Sequence, residues 1–402
     1  MIFKNEEQFL PEFLSEHSEL NLEIILVDTG STDHSVEICK QFNIEPLSFE
    51  WVNDFSKAKN FALEKASGDW ILFLDADERI PNSKLKILLE KLDELSADAY
   101  RLELLSTRDE HWRSPKPKLE SIQWHVRLFR NRPEYRYRHR IHENIVESLE
   151  ETNSLIADLR GVQIFHLGYM DKLIESKNQR NIPLIREAYE ADPQDPRNLL
   201  YMAKWKINNK ELFWQYLEIA YSNRSRGYEI DICEEAWNYL LNYDDEFSRI
   251  KQWEDRLLKL EPNHPAPNLL KARNSYKNQK IDESKIYYER VEQNLRFFLH
   301  GRYHGEVYLK LALLNALQSN LEKALKYLEL ENQWESHNLD SWFLKLKILF
   351  SQRKAVEFVS TLNNLPPQLE KLDSRRKKEL LNLIDAIEFP DKRIIIQKIT
   401  NL

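Results

Sequence analysis

The sequence predicts an α/β domain on a Rossmann-like, mostly parallel sheet over residues 1–170, followed by an all-α domain of repeated helices over residues 171–402. Three observations carry this. From Glu23 to Leu95, short apolar runs alternate with helical periodicity, the pattern of a doubly wound sheet. The run Trp70-Ile71-Leu72-Phe73-Leu74, entered from Gly68-Asp69, reads as a strand buried on both faces of a parallel sheet. From Asp171 the chain is helical almost without break, and the turn Asp192-Pro193-Gln194-Asp195-Pro196 returns 69 residues later as Glu261-Pro262-Asn263-His264-Pro265.

Composition bounds the function. With 42% hydrophobic and 31% charged residues, 402 residues make two or three ordinary globular domains. The net charge of −8 disfavours broad binding to nucleic acid or anionic membrane. The acidity lies in residues 1–170, which carry 21 Lys and Arg against 31 Asp and Glu. Cys39 and Cys233 give neither zinc spacing nor a disulfide framework, which points to a reducing compartment. No apolar run approaches the ~20 residues of a membrane helix, and Met1–Glu7 lacks a signal-peptide pattern. A cytoplasmic location is expected. The seven glycines cannot form a G-x-G-x-x-G or P-loop cradle, so any nucleotide phosphate must be held by a metal and basic side chains.

In chain order, residues 6–20 have helical spacing with Asn5 as N-cap. Glu23–Val27 is a short strand that runs into the turn Asp28-Thr29-Gly30-Ser31-Thr32-Asp33, with a helix to about Phe42. Asp28 thus stands at a strand's carboxyl end, where open α/β sheets bind ligands; its plainer role is to cap the turn. After a strand over Ile44–Glu50, Asp54 caps a helix over Phe55–Ala66 that Gly68 ends. Lys57 and Lys59 sit near that helix's N-terminus, against the dipole, a conflict an anion would relieve. The strand at Trp70 ends in Asp75-Ala76-Asp77-Glu78. Two carboxylates one residue apart can share Mg²⁺ or Mn²⁺, although Asp-x-Asp alone is also a common solvated turn.

A helix over Ser83–Leu95 precedes strands at Ala99–Leu105 and Gln123–Arg130. Tyr135–Glu143 alternates with period two and is expected to be a strand. Six arginines between Arg127 and Arg140 fit a solvent face, or a site for a diphosphate or an acidic acceptor; with the tyrosines between them they also fit RNA. His142-Glu143 sets an imidazole beside a carboxylate, a general-base arrangement. Gly161–Tyr169 is a strand carrying His166, either structural or a metal ligand. Beyond Asp171, Tyr216, Tyr287 and Tyr327 recur in similar contexts, and Ala203, Ala272 and Ala312 suit close helix pairing. A period of roughly 34–40 residues suggests an α-solenoid of tetratricopeptide type, with a degenerate repeat near 230–260; an irregular bundle is the alternative. Such a surface binds a peptide or protein, or a second copy of the chain.

Val27–Asp33, Phe55–Asn60, Gly68–Glu78, Arg127-Leu128-Phe129-Arg130, Arg140-Ile141-His142-Glu143 and His166-Leu167-Gly168-Tyr169, in this order, resemble glycosyltransferase family 2. The likeness is to the bacterial branch in which a GT-A domain precedes tetratricopeptide-like helices. That branch includes the bacteriocin S-glycosyltransferases and is related to lipopolysaccharide-core glucosyltransferases. The resemblance covers residues 1 to about 210. It implies a GT-A fold with the Asp-x-Asp metal motif, a nucleotide-diphosphate sugar donor (usually a UDP-sugar), Mg²⁺ or Mn²⁺, and inversion at the anomeric carbon. It further implies that Asp28 contacts uracil or ribose, with Lys57 and Lys59 beside the donor; Lys59 stands where the family usually has arginine. Asp75 would face ribose and metal, Ala76 the donor, and Asp77 the metal. Glu143 would remove the acceptor's proton with His142 beside it, and His166 would complete the metal shell. The family's first strand usually begins several residues before Ile2, so a shortened strand is expected. The expected function is transfer of the sugar to a peptide, glycan or lipid-linked acceptor docked on the helices; a scaffold with a vestigial transferase half is the alternative.

Overall fold

The structure is a computed structural model describing residues 1–17, 20, 22–107, 112–113, 119–167, 171–224, 228–243, 246–295, 301–334, 338–364, 366, 372–389 and 392–400. Gly168 and Tyr169, two residues of the resemblance, lie outside the described residues. The chain forms two compact units, Met1–Ser114 with Ser121–Pro262, and Pro115–Glu120 with Asn263–Leu402. The last strand ends at His166 and the next described helix begins at Asp171, so the first unit holds the α/β part and the earliest helix pairs.

The first unit begins β1 (Ile2–Phe3), α1 (Leu10–His17), β2 (Val27–Asp28), α2 (Ser35–Gln41), β3 (Leu47–Ser48) and α3 (Phe55–Lys65). It continues with β4 (Trp70–Leu72), β5 (Glu78–Arg79), α4 (Asn82–Glu90), β6 (Ala99–Ser106), β7 (Ser121–Arg130), α5 (Val146–Glu151) and β8 (Ile156–His166). Strands β1, β2 and β3 form a parallel ladder that aligns Phe3, Asp28 and Ser48. The other five follow the order β4-β7-β6-β8-β5. Successive strand residues enter opposite cores: Leu26 and Leu74 join Leu10 and Leu14 of α1, whereas Val27 and Phe73 join Ala62 and Leu63 of α3. This is the period-two signature of a sheet covered on both faces.

Several local expectations change. The ladder partner of β4 is β7, and it is antiparallel, pairing Trp70 with Arg130 and Leu72 with Leu128. The first helix starts at Leu10, because Asn5 adopts φ 56° and its side chain accepts the Thr32 N–H at 2.8 Å. Helix α3 ends at Lys65 with Ala66 extended, two residues before Gly68. Tyr135–Glu143 keeps its alternation in burial, with Tyr135, Tyr137 and Ile141 inside, but is no strand. His139 at φ 74° and His142 at φ 52° turn the backbone out of any ladder.

The first unit closes with α6 (Asp171–Ala191), α7 (Pro196–Trp205), α8 (Lys210–Ser222), α9 (Glu229–Tyr243) and α10 (Phe247–Leu260). Asp195 caps α7, accepting N–H groups of Arg197 and Asn198, with Pro196 in the first turn. Helices α9 and α10 fill the 230–260 stretch. The second unit holds α11 (Ala266–Lys277), α12 (Ile281–Glu292), α13 (Gly301–Leu317), α14 (Leu321–Glu331), α15 (Leu339–Ser351), α16 (Ala355–Asn363), α17 (Ser374–Asp385) and α18 (Lys392–Thr400). Consecutive helices pack as pairs. Lys323 reaches Glu289 at 3.4 Å, Tyr327 reaches Glu292 at 2.9 Å and Arg376 reaches Asp340 at 2.6 Å, across 34, 35 and 36 residues. Contacts at that spacing are what stacked tetratricopeptide-like repeats require. Ala203, Ala272 and Ala312 are all fully buried. Among the described residues, no helix is long and apolar enough to cross a membrane.

Candidate functional site

The acid-ended run at Trp70 opens onto a cavity of about 590 Å³ in the first unit. Asp75, Ala76 and Asp77 line it from the turn after β4, Ile141, His142 and Glu143 from the 139–145 loop, Lys59 from α3, and His166 from the end of β8. Seven of the nine donor, metal and catalytic residues expected from the sequence therefore share this cavity. The other two do not line it. Asp28 accepts the Ser31 N–H at 2.9 Å and so closes its own turn, leaving Thr29 to face the cavity. Lys57 is exposed, because α3 directs Lys59, not Lys57, inward.

Two salt-bridged groups organise the floor. Lys59, only 4% exposed, has its Nζ 2.7 Å from Glu143 and 3.8 Å from Asp75. Its ammonium also lies over Phe73 at 4.6 Å and Tyr137 at 5.1 Å. Burial alone would strip that charge; Asp75 and then Glu143 outweigh it and hold the ammonium above the usual lysine value. Arg127, from β7, is shared by Glu78 in close contact and by Asp75 at 3.2 Å. Burial opposes the Asp75 charge as well, yet Lys59 and Arg127 keep its carboxyl below the ordinary aspartate value. Burial instead pushes Glu78, 1% exposed, upward.

The turn itself is pinned by Arg79. Fully buried, it donates to the carbonyls of Ala76 at 2.6 Å, Glu78 at 2.9 Å and Phe9 at 2.8 Å. Antiparallel pairing of β5 with β8 then sets Glu78 opposite His166, and the Leu167 N–H reaches the Asp77 carbonyl at 2.8 Å. As a result His166 Nε2 stands 3.2 Å from Asp77 Oδ2, with Ser106 Oγ 3.5 Å from the other ring nitrogen.

These contacts bear on the expected metal. Among the described residues, no three His, Cys, Asp or Glu side chains converge; Asp75, expected as a ligand, has its oxygens directed at two cations. Asp77 and His166 offer one oxygen and one nitrogen. They would be the residues to hold a divalent cation, with its other ligands drawn from phosphate oxygens and water.

The 139–145 loop is fixed from α3 and α7. The Asn60 amide exchanges hydrogen bonds with the Tyr137 backbone at 2.8 and 3.0 Å, and the Phe55 N–H donates to Arg140. Arg197 of α7, 3% exposed, donates to the carbonyls of Ile141, in close contact, and of His142 at 3.3 Å. The His142 ring stacks on Tyr201, centroids 3.7 Å apart and 7° from coplanar. Although His142 is exposed as a residue, desolvation of its stacked ring, then Arg197 and Lys204, push its pKa down to about 3. The stacking ties the loop to α7. Sequence reasoning missed Arg79, Arg197 and Tyr201, whose partners are distant carbonyls and a ring.

Comparison with known proteins bears on the N-terminal domain. Residues 1–148 match the family model described as glycosyl transferase family 2. A TPR repeat-containing protein of Synechococcus elongatus is 33% identical over 202 residues, 48% of this chain and 48% of the relative. The SPbeta prophage-derived glycosyltransferase SunS of Bacillus subtilis is 28% identical over 217 residues, 51% of this chain and 47% of the relative. The chain thus spans about half the length of the curated relatives it matches. Among solved structures, S. aureus TarS 1-349 is a distant likeness at 17% identity and TM-score 0.34, covering 73% of this chain and 89% of that one. The likeness to glycosyl transferase family 2 is thus carried by the N-terminal domain, over residues 1–148.

Proposed function

We propose that the protein is an inverting, metal-dependent glycosyltransferase that moves a sugar from a nucleotide-diphosphate donor, a UDP-sugar, to a peptide, glycan or lipid-linked acceptor. One observation carries the reading: the Asp77–His166 pair and the Lys59–Glu143 pair line a single cavity at the rim of the sheet. When bound, a divalent cation would offset charge on the departing diphosphate, and Asp77 and His166 are the residues to hold it. The bond between the anomeric carbon and the diphosphate oxygen breaks with its electron pair going to that oxygen. The acceptor's nucleophile forms the new bond, and its proton passes to the Glu143 carboxylate. Lys59, drawn toward the phosphates, leaves that carboxylate free to accept it. Asp75 keeps Lys59 and Arg127 in place.

The catalytic part corresponds to residues 1–170, with residues 171–402 offering the acceptor, or a second copy of the chain, a helical surface. The test is a thermal melt with UDP and Mn²⁺, followed by mass spectrometry of nucleotide-sugar hydrolysis. Stabilisation by UDP with Mn²⁺ that disappears in Asp77→Ala supports the reading. No shift and no hydrolysis with any nucleotide-sugar would leave the helices as the functional part.

A further inference from the structure

Lys59, the buried cation of the cavity wall, already has carboxylate partners in Glu143 and Asp75, as does Arg127 nearby in Glu78 and Asp75. Arg180 of α6 is different. It is exposed and lines the same cavity. Its guanidinium lies over the Phe55 ring at 5.0 Å, and its Nε donates to Asn181 Oδ1 at 3.1 Å. Among the described residues it forms no ion pair, although Glu6, Glu143, Asp77 and Asp75 act on it electrostatically. A guanidinium over an aromatic ring with no carboxylate on it has N–H groups left to match two oxygens of a phosphate.

We propose that Arg180 binds the diphosphate of the donor, with Phe55 as its seat and the N–H edge of its guanidinium on the phosphate oxygens. This rests on the nucleotide-diphosphate reading and adds a residue to it from the helical region. The chemistry calls for such a group. Asp75, Asp77, Glu143 and Glu6 all line the cavity, so a diphosphate entering it meets four acids. A cation without a carboxylate partner relieves that repulsion, and it stands near the oxygen that receives the electron pair of the breaking bond.

The experiment is calorimetric titration of the full chain with UDP and with UMP, in Mn²⁺ and again in EDTA. It compares wild type, Arg180→Gln, Arg180→Lys and Lys4→Gln, the last removing the other exposed cation of the lining. Arg180→Gln is expected to weaken UDP about 10- to 100-fold, the loss of charge-assisted hydrogen bonds, with UMP changed by no more than about twofold. Arg180→Lys recovers part of the affinity, and Lys4→Gln leaves the preference for UDP over UMP in place. Equal UDP affinity in wild type and Arg180→Gln overturns the assignment while the donor reading stands. An equal loss for UDP and UMP also overturns it. A wild-type chain that binds no nucleoside diphosphate, from a panel of UDP, GDP and ADP, overturns the donor reading and this assignment with it.

Discussion

Lys59 Nζ lies 2.7 Å from a carboxylate oxygen of Glu143, joining the residue that resemblance places beside the donor to the residue it names as base. Both side chains are well buried. Removing one partner of such a pair leaves an uncompensated charge, a loss of about 3–5 kcal/mol. Lys59→Met should therefore destabilise the fold by that order and weaken donor binding, whereas Lys59→Met with Glu143→Gln should recover much of the stability. Glu143→Gln alone keeps a hydrogen bond to Lys59, so UDP affinity is expected to persist while turnover is lost. Denaturant melts of the three variants, alongside hydrolysis rates, check this; unchanged turnover in Glu143→Gln removes it as the base.

Asp75 and Asp77 are separated by one residue but meet different partners, and their substitutions should differ. Asp77 faces His166, so Asp77→Ala and His166→Ala are expected to abolish or sharply reduce the Mn²⁺-dependent part of the UDP stabilisation. Asp75 faces Arg127 and Lys59, so Asp75→Asn should lower the melting temperature of the metal-free protein most. Titrating Mn²⁺ in a thermal-shift assay separates the two. Equal loss of Mn²⁺ response in all three variants would return Asp75 to the ligand set.

The loop carrying Glu143 hangs on α7. Arg197 supplies hydrogen bonds to the Ile141 and His142 carbonyls, and Tyr201 supplies the stacking face. Leaving those buried carbonyls without donors costs about 1–3 kcal/mol. Arg197→Met is therefore expected to lower kcat well beyond its effect on UDP affinity, since the loop moves and the Asp77–His166 pair does not. Tyr201→Leu should act in the same direction, more weakly, and Tyr201→Phe, which keeps the ring, should restore wild-type kcat. A KM effect with unchanged kcat would assign α7 to substrate binding.

These variants also mark the limit of what the chain discloses by itself. The Asp54 cap of α3 was legible because it is local, its carboxylate accepting the Lys57 N–H three residues on. The acid-ended run at Trp70 was legible because apolar density and strand-end acids are written side by side. Alternation in Tyr135–Glu143 gave the buried positions correctly but not the element, because the left-handed turns at His139 and His142 answer to Asn60 and Arg197, which lie far away in sequence. The Asp77–His166 meeting depends on β-register across 89 residues, which spacing does not encode and only resemblance suggested. Arg79 and Arg180 left no signal, since one binds carbonyls and the other a ring.

Beneath the same loop, Glu147 offers a test in acid. Its Oε1 lies 2.7 Å from His139 Nε2 and accepts the Tyr228 hydroxyl at 3.0 Å. The hydrogen bond from His139 holds the carboxyl below its ordinary value near 4.5, burial opposes it, and Tyr228 and Arg197 add to the lowering. A depressed carboxyl contributes stability that is fully present above the unfolded value and is lost as pH falls through the folded one. The stability gap between wild type and Glu147→Gln should hence shrink as pH falls below the ordinary glutamate value near 4.5, as both chains come to carry a neutral side chain there. Denaturant melts of the pair at stepped pH measure it. A gap that widens on acidification would show that the carboxylate is strained against its neighbours and that the loop over it is held by α7 alone.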